Sequence, residues 1–154
     1  MAAKVKVEFS KQWMSSKDAA ATFAYLSDLK TAIPTHFQGL ASFSETKPGI
    51  FRWEFETLRH SGYEFQIKLL TEKALSEPFK LQLLNVPQVG NAGINASWQV
   101  VPEGQGSQVR FQVTLEVELP IPSILKGVAA PLVQRELSKF FDKYASHVEK
   151  TLAA

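Results

Sequence analysis

From Val109 to Leu119 every odd-numbered position is apolar, and Arg110, Gln112, Thr114, Glu116 and Glu118 between them are polar. Such alternation predicts a strand with one covered face and one wet face. The same period organises most of the chain. Val5, Val7, Phe9 and Trp13 share a parity against Lys4, Lys6, Glu8 and Gln12. Phe51, Trp53 and Phe55 alternate with Arg52, Glu54 and Glu56, and the turn His60-Ser61-Gly62 precedes Tyr63, Phe65, Ile67 and Leu69. Ser76-Glu77-Pro78 breaks the chain before Phe79, Leu81 and Leu83. Ile94, Ala96, Trp98 and Val100 then lead to the turn Pro102-Glu103-Gly104-Gln105-Gly106-Ser107.

Helical spacing appears twice. Ser15, three residues before Asp18, predicts a helix start resembling a capping box. Phe23, Leu26 and Leu29 lie on one side of that helix through about Lys30, and Pro34 stops the short turn that follows. At the C-terminal end Leu125, Val128 and Leu132 form one apolar line, and Val133, Leu137, Phe140, Tyr144 and Val148, flanked by Phe141, form a second. The step from Leu132 to Val133 turns the stripe by about 100°. Pro131 has no N–H for the Gly127 carbonyl, so two segments joined at a kink are expected. The alternative is a straight helix with Ala129, Val133 and Leu137 in one stripe. Strand, one or two short helices, short-looped strands and a long helix make an α+β chain with a curved antiparallel sheet. Its 154 residues suit a single domain, 1–154.

Composition narrows the chemistry. The chain is 45% hydrophobic and 21% charged, ordinary for a soluble protein. A formal charge of +2 with scattered lysines argues against a nucleic-acid partner. Without cysteine there is no disulfide, thiolate metal site or cysteine nucleophile. His36, His60 and His147 fall in different elements, so no metal and no cofactor are expected. The uncharged run 81–102 holds three Gln, three Asn, two Gly and two Pro, unsuited to a membrane helix. The opening MAAKVKVEF reads as no targeting segment, and a cytoplasmic location is expected.

No G-x-S-x-G elbow, phosphate-binding glycine loop or H-E-x-x-H helix occurs. The carboxylates Glu54, Glu56, Glu64, Glu116 and Glu118 take the outward parity. The inward parity contains Lys11, Thr57, Arg59, Tyr63, Thr71 and Asn85, most near strand ends. Arg59 and Tyr63, on either side of one turn, are candidate polar hooks for a head group. His36, beside Pro34 and Phe37, is either a proton shuttle at a cavity mouth or a plain exposed histidine.

Three segments carry a family resemblance: SSKDAAATFAYLSDL at 15–29, GIFRWEF at 49–55, and VRFQVTLEVELPIP at 109–122 leading into the last helix. With this order of elements the chain resembles the START-like (SRPBCC) superfamily, which includes polyketide cyclase/dehydrase-like proteins and relatives linked to carbon-monoxide dehydrogenase. The resemblance implies a helix-grip fold: a seven-stranded antiparallel sheet wrapped around the C-terminal helix, with a hydrophobic cavity between them. Residues 45–49 hold one glycine where pathogenesis-related relatives have a glycine-rich loop, which argues against an anion site there.

The expected cavity lining is His36, Phe37, Trp53, Phe55, Arg59, Tyr63, Phe65, Trp98, Phe111, Val113, Val133, Leu137 and Phe140. The first functional reading is binding of a hydrophobic small molecule: a lipid, a quinone or a polyketide-like compound. The second is a cyclase, dehydratase or hydrolase working in the same pocket. The third is an assembly or interaction factor using outward apolar residues, for which Leu58, Leu70, Leu84 and Val101 are the candidates.

Overall fold

A computed structural model describes residues 2–153 except positions 61, 88, 123 and 125, and the side chains of residues 2, 3, 60, 63 and 126 lie outside the description. The chain runs β1 (Ala2–Ser15), α1 (Ala19–Ser27), α2 (Leu29–His36), β2 (Leu40–Lys47), β3 (Ile50–Phe55), β4 (Leu58–His60), β5 (Tyr63–Phe65), β6 (Lys68–Ser76), β7 (Lys80–Asn85), β8 (Ala92–Glu103), β9 (Gly106–Pro122) and α3 (Lys126–Ala153). Seven strands form one antiparallel sheet in the order β1-β9-β8-β7-β6-β3-β2. β4 and β5 pair only with each other.

The alternating segments bury the expected parity. Val109, Phe111, Val113, Leu115, Val117, Leu119 and Ile121 of β9 are buried, and β1 runs against β9 from Ala3↔Leu119 to Ser15↔Ser107. At the far end of this pair the Gly106 backbone comes so close to Ser15 that a Cβ there would lie 2.4 Å from the Ser15 carbonyl oxygen. Gly106→Ala is therefore expected to cost on the order of 1–3 kcal/mol, as overpacking does. A melting temperature equal to that of the wild type would refute the close approach. Beside it, Ser107 Oγ lies 2.9 Å from both Lys17 O and Thr22 Oγ1, and Ser15 Oγ lies 2.8 Å from Thr22 Oγ1, tying the start of α1 to both strands.

The helices depart from expectation in three places. Asp18, not Ser15, caps α1, its carboxylate accepting from Ala21 N–H at 2.8 Å, while Ser15 belongs to β1. The first helical stretch is two helices that part at Asp28, so Leu29 starts α2, and Pro34 sits inside α2 instead of ending it. The C-terminal segment is one helix of 28 residues with Pro131 inside it. The turn of the apolar stripe that motivated a kink does not occur. Val128 is 71% exposed and Leu125 lies outside the described residues, while the buried line begins at Ala129 and continues through Val133, Leu137, Phe141, Tyr144, Ala145, Val148 and Leu152. Gly127 faces solvent, where water can satisfy the carbonyl that Pro131 cannot.

α3 lies along β1, the edge strand. Gln134 Nε2 donates to Lys6 O at 2.8 Å, and Lys11 Nζ donates to Ser146 Oγ at 3.2 Å while standing 3.4 Å from Glu149. An edge covered by a helix in this way has fewer free groups with which to pair another chain. Of the outward apolar candidates, Leu58 instead packs against the core, Leu70 and Val101 are half-buried, and Leu84 is exposed.

Candidate functional site

Phe37, the residue that ends α2, is the centre of the interior. Its ring meets Trp53, Phe55, Phe140, Phe141 and Tyr144 at centroid separations between 5.6 and 6.3 Å. Gly39, at φ +94°, carries the chain from α2 into β2 under the Phe140 ring, where a Cβ would come within 2.9 Å of a ring carbon. A β-carbon there would meet both the ring and an unfavourable left-handed backbone. This contact seats the start of β2 against α3.

Between α3 and the sheet, Ile33, Phe37, Trp53, Ile94, Ala96, Trp98, Phe111, Val113, Phe141 and Tyr144 surround a space of about 10 Å³. That is room for roughly one water molecule. Five of the expected lining residues meet here: Phe37, Trp53, Trp98, Phe111 and Val113. Phe55, Val133 and Leu137 are buried in the surrounding core, and Phe65 and Phe140 pack against it half-buried. Ile94, Ala96, Phe141 and Tyr144 lay on apolar lines already visible in the sequence, whereas no local signal pointed to Ile33.

The polar groups of this lining are few. Trp53 Nε1 donates to Thr71 Oγ1 at 2.9 Å and Trp98 Nε1 donates to the Tyr144 hydroxyl at 3.1 Å. Both hydroxyl residues are buried, and burial holds the Tyr144 pKa well above the ordinary phenol value.

Arg59 is not a hook inside the cavity. Beyond β3 the chain leaves the main sheet, so its inward parity is not passed on to β4; Thr57 is exposed, and Arg59 Nε stands 2.9 Å from Glu64 in solvent. The Tyr63 side chain lies outside the described residues.

His36 is not an exposed histidine: it is only 4% exposed. It lies between α1 and α3, with its Nε2 hydrogen-bonded to the Tyr25 hydroxyl and the His147 ring 6.3 Å away. Burial lowers the His36 pKa and the facing His147 adds to the effect, while burial raises that of Tyr25. In the unfolded chain a histidine charges near pH 6.5, whereas in the fold it stays neutral to lower pH. The stability it contributes is therefore complete above about pH 6.5 and is lost as pH falls toward the folded value, by at most about 1.4 kcal/mol per pH unit. His36→Gln, which retains a hydrogen-bonding group for Tyr25, should flatten the melting temperature between pH 7 and 5. Parallel profiles for variant and wild type would refute the assignment.

A second concavity, of about 430 Å³, is an open groove on the outer face of the sheet, with Lys4, Asn95, Thr114, Glu116 and Glu118 in its lining. Among the described residues no group of three or more His, Cys, Asp or Glu is placed to hold a metal ion, and no helix is long and apolar enough to cross a membrane.

No family model matches the chain, and no curated protein matches it. Solved structures do. A START superfamily protein from Mycobacterium smegmatis is similar at a TM-score of 0.67 and 17% identity, over 94% of this chain and 96% of that one. A protein from Thermus thermophilus is similar at a TM-score of 0.66 and 19% identity, over 96% of each chain. The di-domain ARO/CYC StfQ from the steffimycin biosynthetic pathway matches at a TM-score of 0.55 and 17% identity, over 97% of this chain and 51% of that one. At these identities the likeness concerns the fold. The seven-stranded antiparallel sheet, the two short helices after its first strand and the long C-terminal helix are those of the START-like, helix-grip fold.

Proposed function

We propose that the protein binds a hydrophobic small molecule in the interior between α3 and the sheet. The observation that carries this reading is the aromatic lining, brought to one place by α2, β3, β8, β9 and α3 around a space with no ionisable group except the Tyr144 phenol. Apolar pockets with a few placed polar groups are the usual form of small-molecule sites. The similarity to START superfamily and ARO/CYC structures supports the same reading through the fold. With room for about one water at present, a ligand enters only as side chains move apart.

Native mass spectrometry of freshly purified protein tests the proposal. The expected result is a co-purifying small molecule that is released on unfolding. Protein that carries none, and that also fails to bind uncharged aromatic probes after refolding, would overturn it.

A further inference from the structure

His36 ties the end of α2 to both other helices. Its Nε2 is hydrogen-bonded to the Tyr25 hydroxyl of α1, and the His147 ring of α3 stands edge-on to it at 6.3 Å. The rest of α2 is a short element between two breaks. It has eight residues, it follows the turn at Asp28, and Pro34 inside it has no N–H for the Lys30 carbonyl. Gly39, at φ +94°, then carries the chain into β2. Phe37 comes directly after His36. Its N–H closes the helix on Ile33 O at 2.8 Å, and its ring stands among those of β3 and α3. Freeing the His36 end of α2 therefore loosens the centre of the aromatic interior.

A charge on His36 has no anion to meet. Besides burial, His147 is the group that acts on it electrostatically, and with the same sign. One turn to either side of His147 along α3 come Lys143, Tyr144, Lys150 and Thr151, none of them a carboxylate. Asp142 of the same helix is exposed, and Glu149 turns to Lys11 of β1 at 3.4 Å. On α1, Tyr25 is the facing group, and Asp28 is exposed at the opposite end of α2. β2 also packs on α2, but its carboxylate Glu45 is held 3.1 Å from Lys30, near that opposite end.

We propose that the meeting of His36 with Tyr25 and His147 is an acid-sensitive latch. Near neutral pH it holds the end of α2, and with it Phe37, against α3; as pH falls, charge on His36 facing His147 releases that end and opens the interior. The sign follows from exposure. A released His36 stands in water and takes up a proton readily, whereas the closed one is buried, so acid favours the open form.

Amide hydrogen exchange followed by NMR at pH 7 and pH 5, expressed as protection relative to an unfolded chain, tests the latch. It needs no ligand, so its outcome is separate from that of the interior-binding reading. The Ile33, His36 and Phe37 amides should be less protected than those of β9, with little dependence on added urea, the mark of local opening. Between pH 7 and 5 their protection should fall about 3–30-fold, the range open to a histidine that charges near pH 6.5 once exposed. His36→Gln should hold the change within about twofold. His147→Gln, at an exposed residue, should make the fall smaller than in the wild type. If His36→Gln does not fold, the wild type and His147→Gln decide. α2 amides with the protection and urea slope of β9 would overturn the latch, because only global unfolding would then release His36. Protection independent of pH, or a His147→Gln profile equal to that of the wild type, would overturn it as well.

Discussion

A chain ending at Ala130 is expected to have no cooperative melt. It lacks Val133, Leu137, Phe141, Tyr144, Ala145, Val148 and Leu152, all buried in the intact protein. At about 1.5–3 kcal/mol for each fully buried large apolar side chain, the valines, leucines and phenylalanine of this stripe together contribute roughly 7–15 kcal/mol. Whole domains are stable by only about 5–15 kcal/mol. The truncation also removes the bonds from Gln134 to Lys6 and from Lys11 to Ser146, and leaves Ser16 without the Leu152 carbonyl oxygen, which its backbone N–H meets at 2.8 Å. On the concave side Phe37, Trp98 and Phe111 lose Tyr144 as a neighbour and face water. Far-ultraviolet circular dichroism followed through a thermal ramp checks this. A sharp transition from a native-like spectrum would show that the sheet stands without its helix.

Phe37→Ala should be the most damaging single substitution in the site, at about 3–5 kcal/mol. For a chain of this size that corresponds to a drop in melting temperature of roughly 6–20 °C. The ring is 5% exposed and stands between rings of β3 on one side and rings of α3 on the other, so no single neighbour can fill the space it leaves. Phe37→Leu retains much of the volume and should cost less. If Phe37→Ala melts within a few degrees of the wild type, the ring is a loosely held plug and the interior already has room to collapse around it. That result would remove Phe37 from its central place in the site.

Most of the sheet and the line of α3 were legible in the sequence, because both depend on periods that local chemistry enforces. A strand with one wet face must alternate, so Val109 to Leu119 announced both β9 and the side on which its core lies. The stripe Val133, Leu137, Tyr144 and Val148 did the same for α3, and the aromatic parity of Phe51, Trp53, Phe55, Trp98 and Phe111 correctly placed these residues inside.

Only the tertiary structure decided where that parity stops and what the polar side chains meet. Arg59 keeps the inward phase in the sequence, but β4 pairs with β5 alone, and a strand outside the main sheet has no reason to keep that sheet's facing. His36 is buried because Tyr25 and His147 come from other helices to cover it, an arrangement that no window around residue 36 contains. Which line of α3 faces the sheet depended on whether Val128 or Ala129 turned to the core, and two adjacent apolar residues leave that open until a partner surface selects one. The Trp98–Tyr144 bond joins residues 46 positions apart in sequence. The local pattern determined which side chains go inside; the packing of α3 across the sheet determined which of them meet.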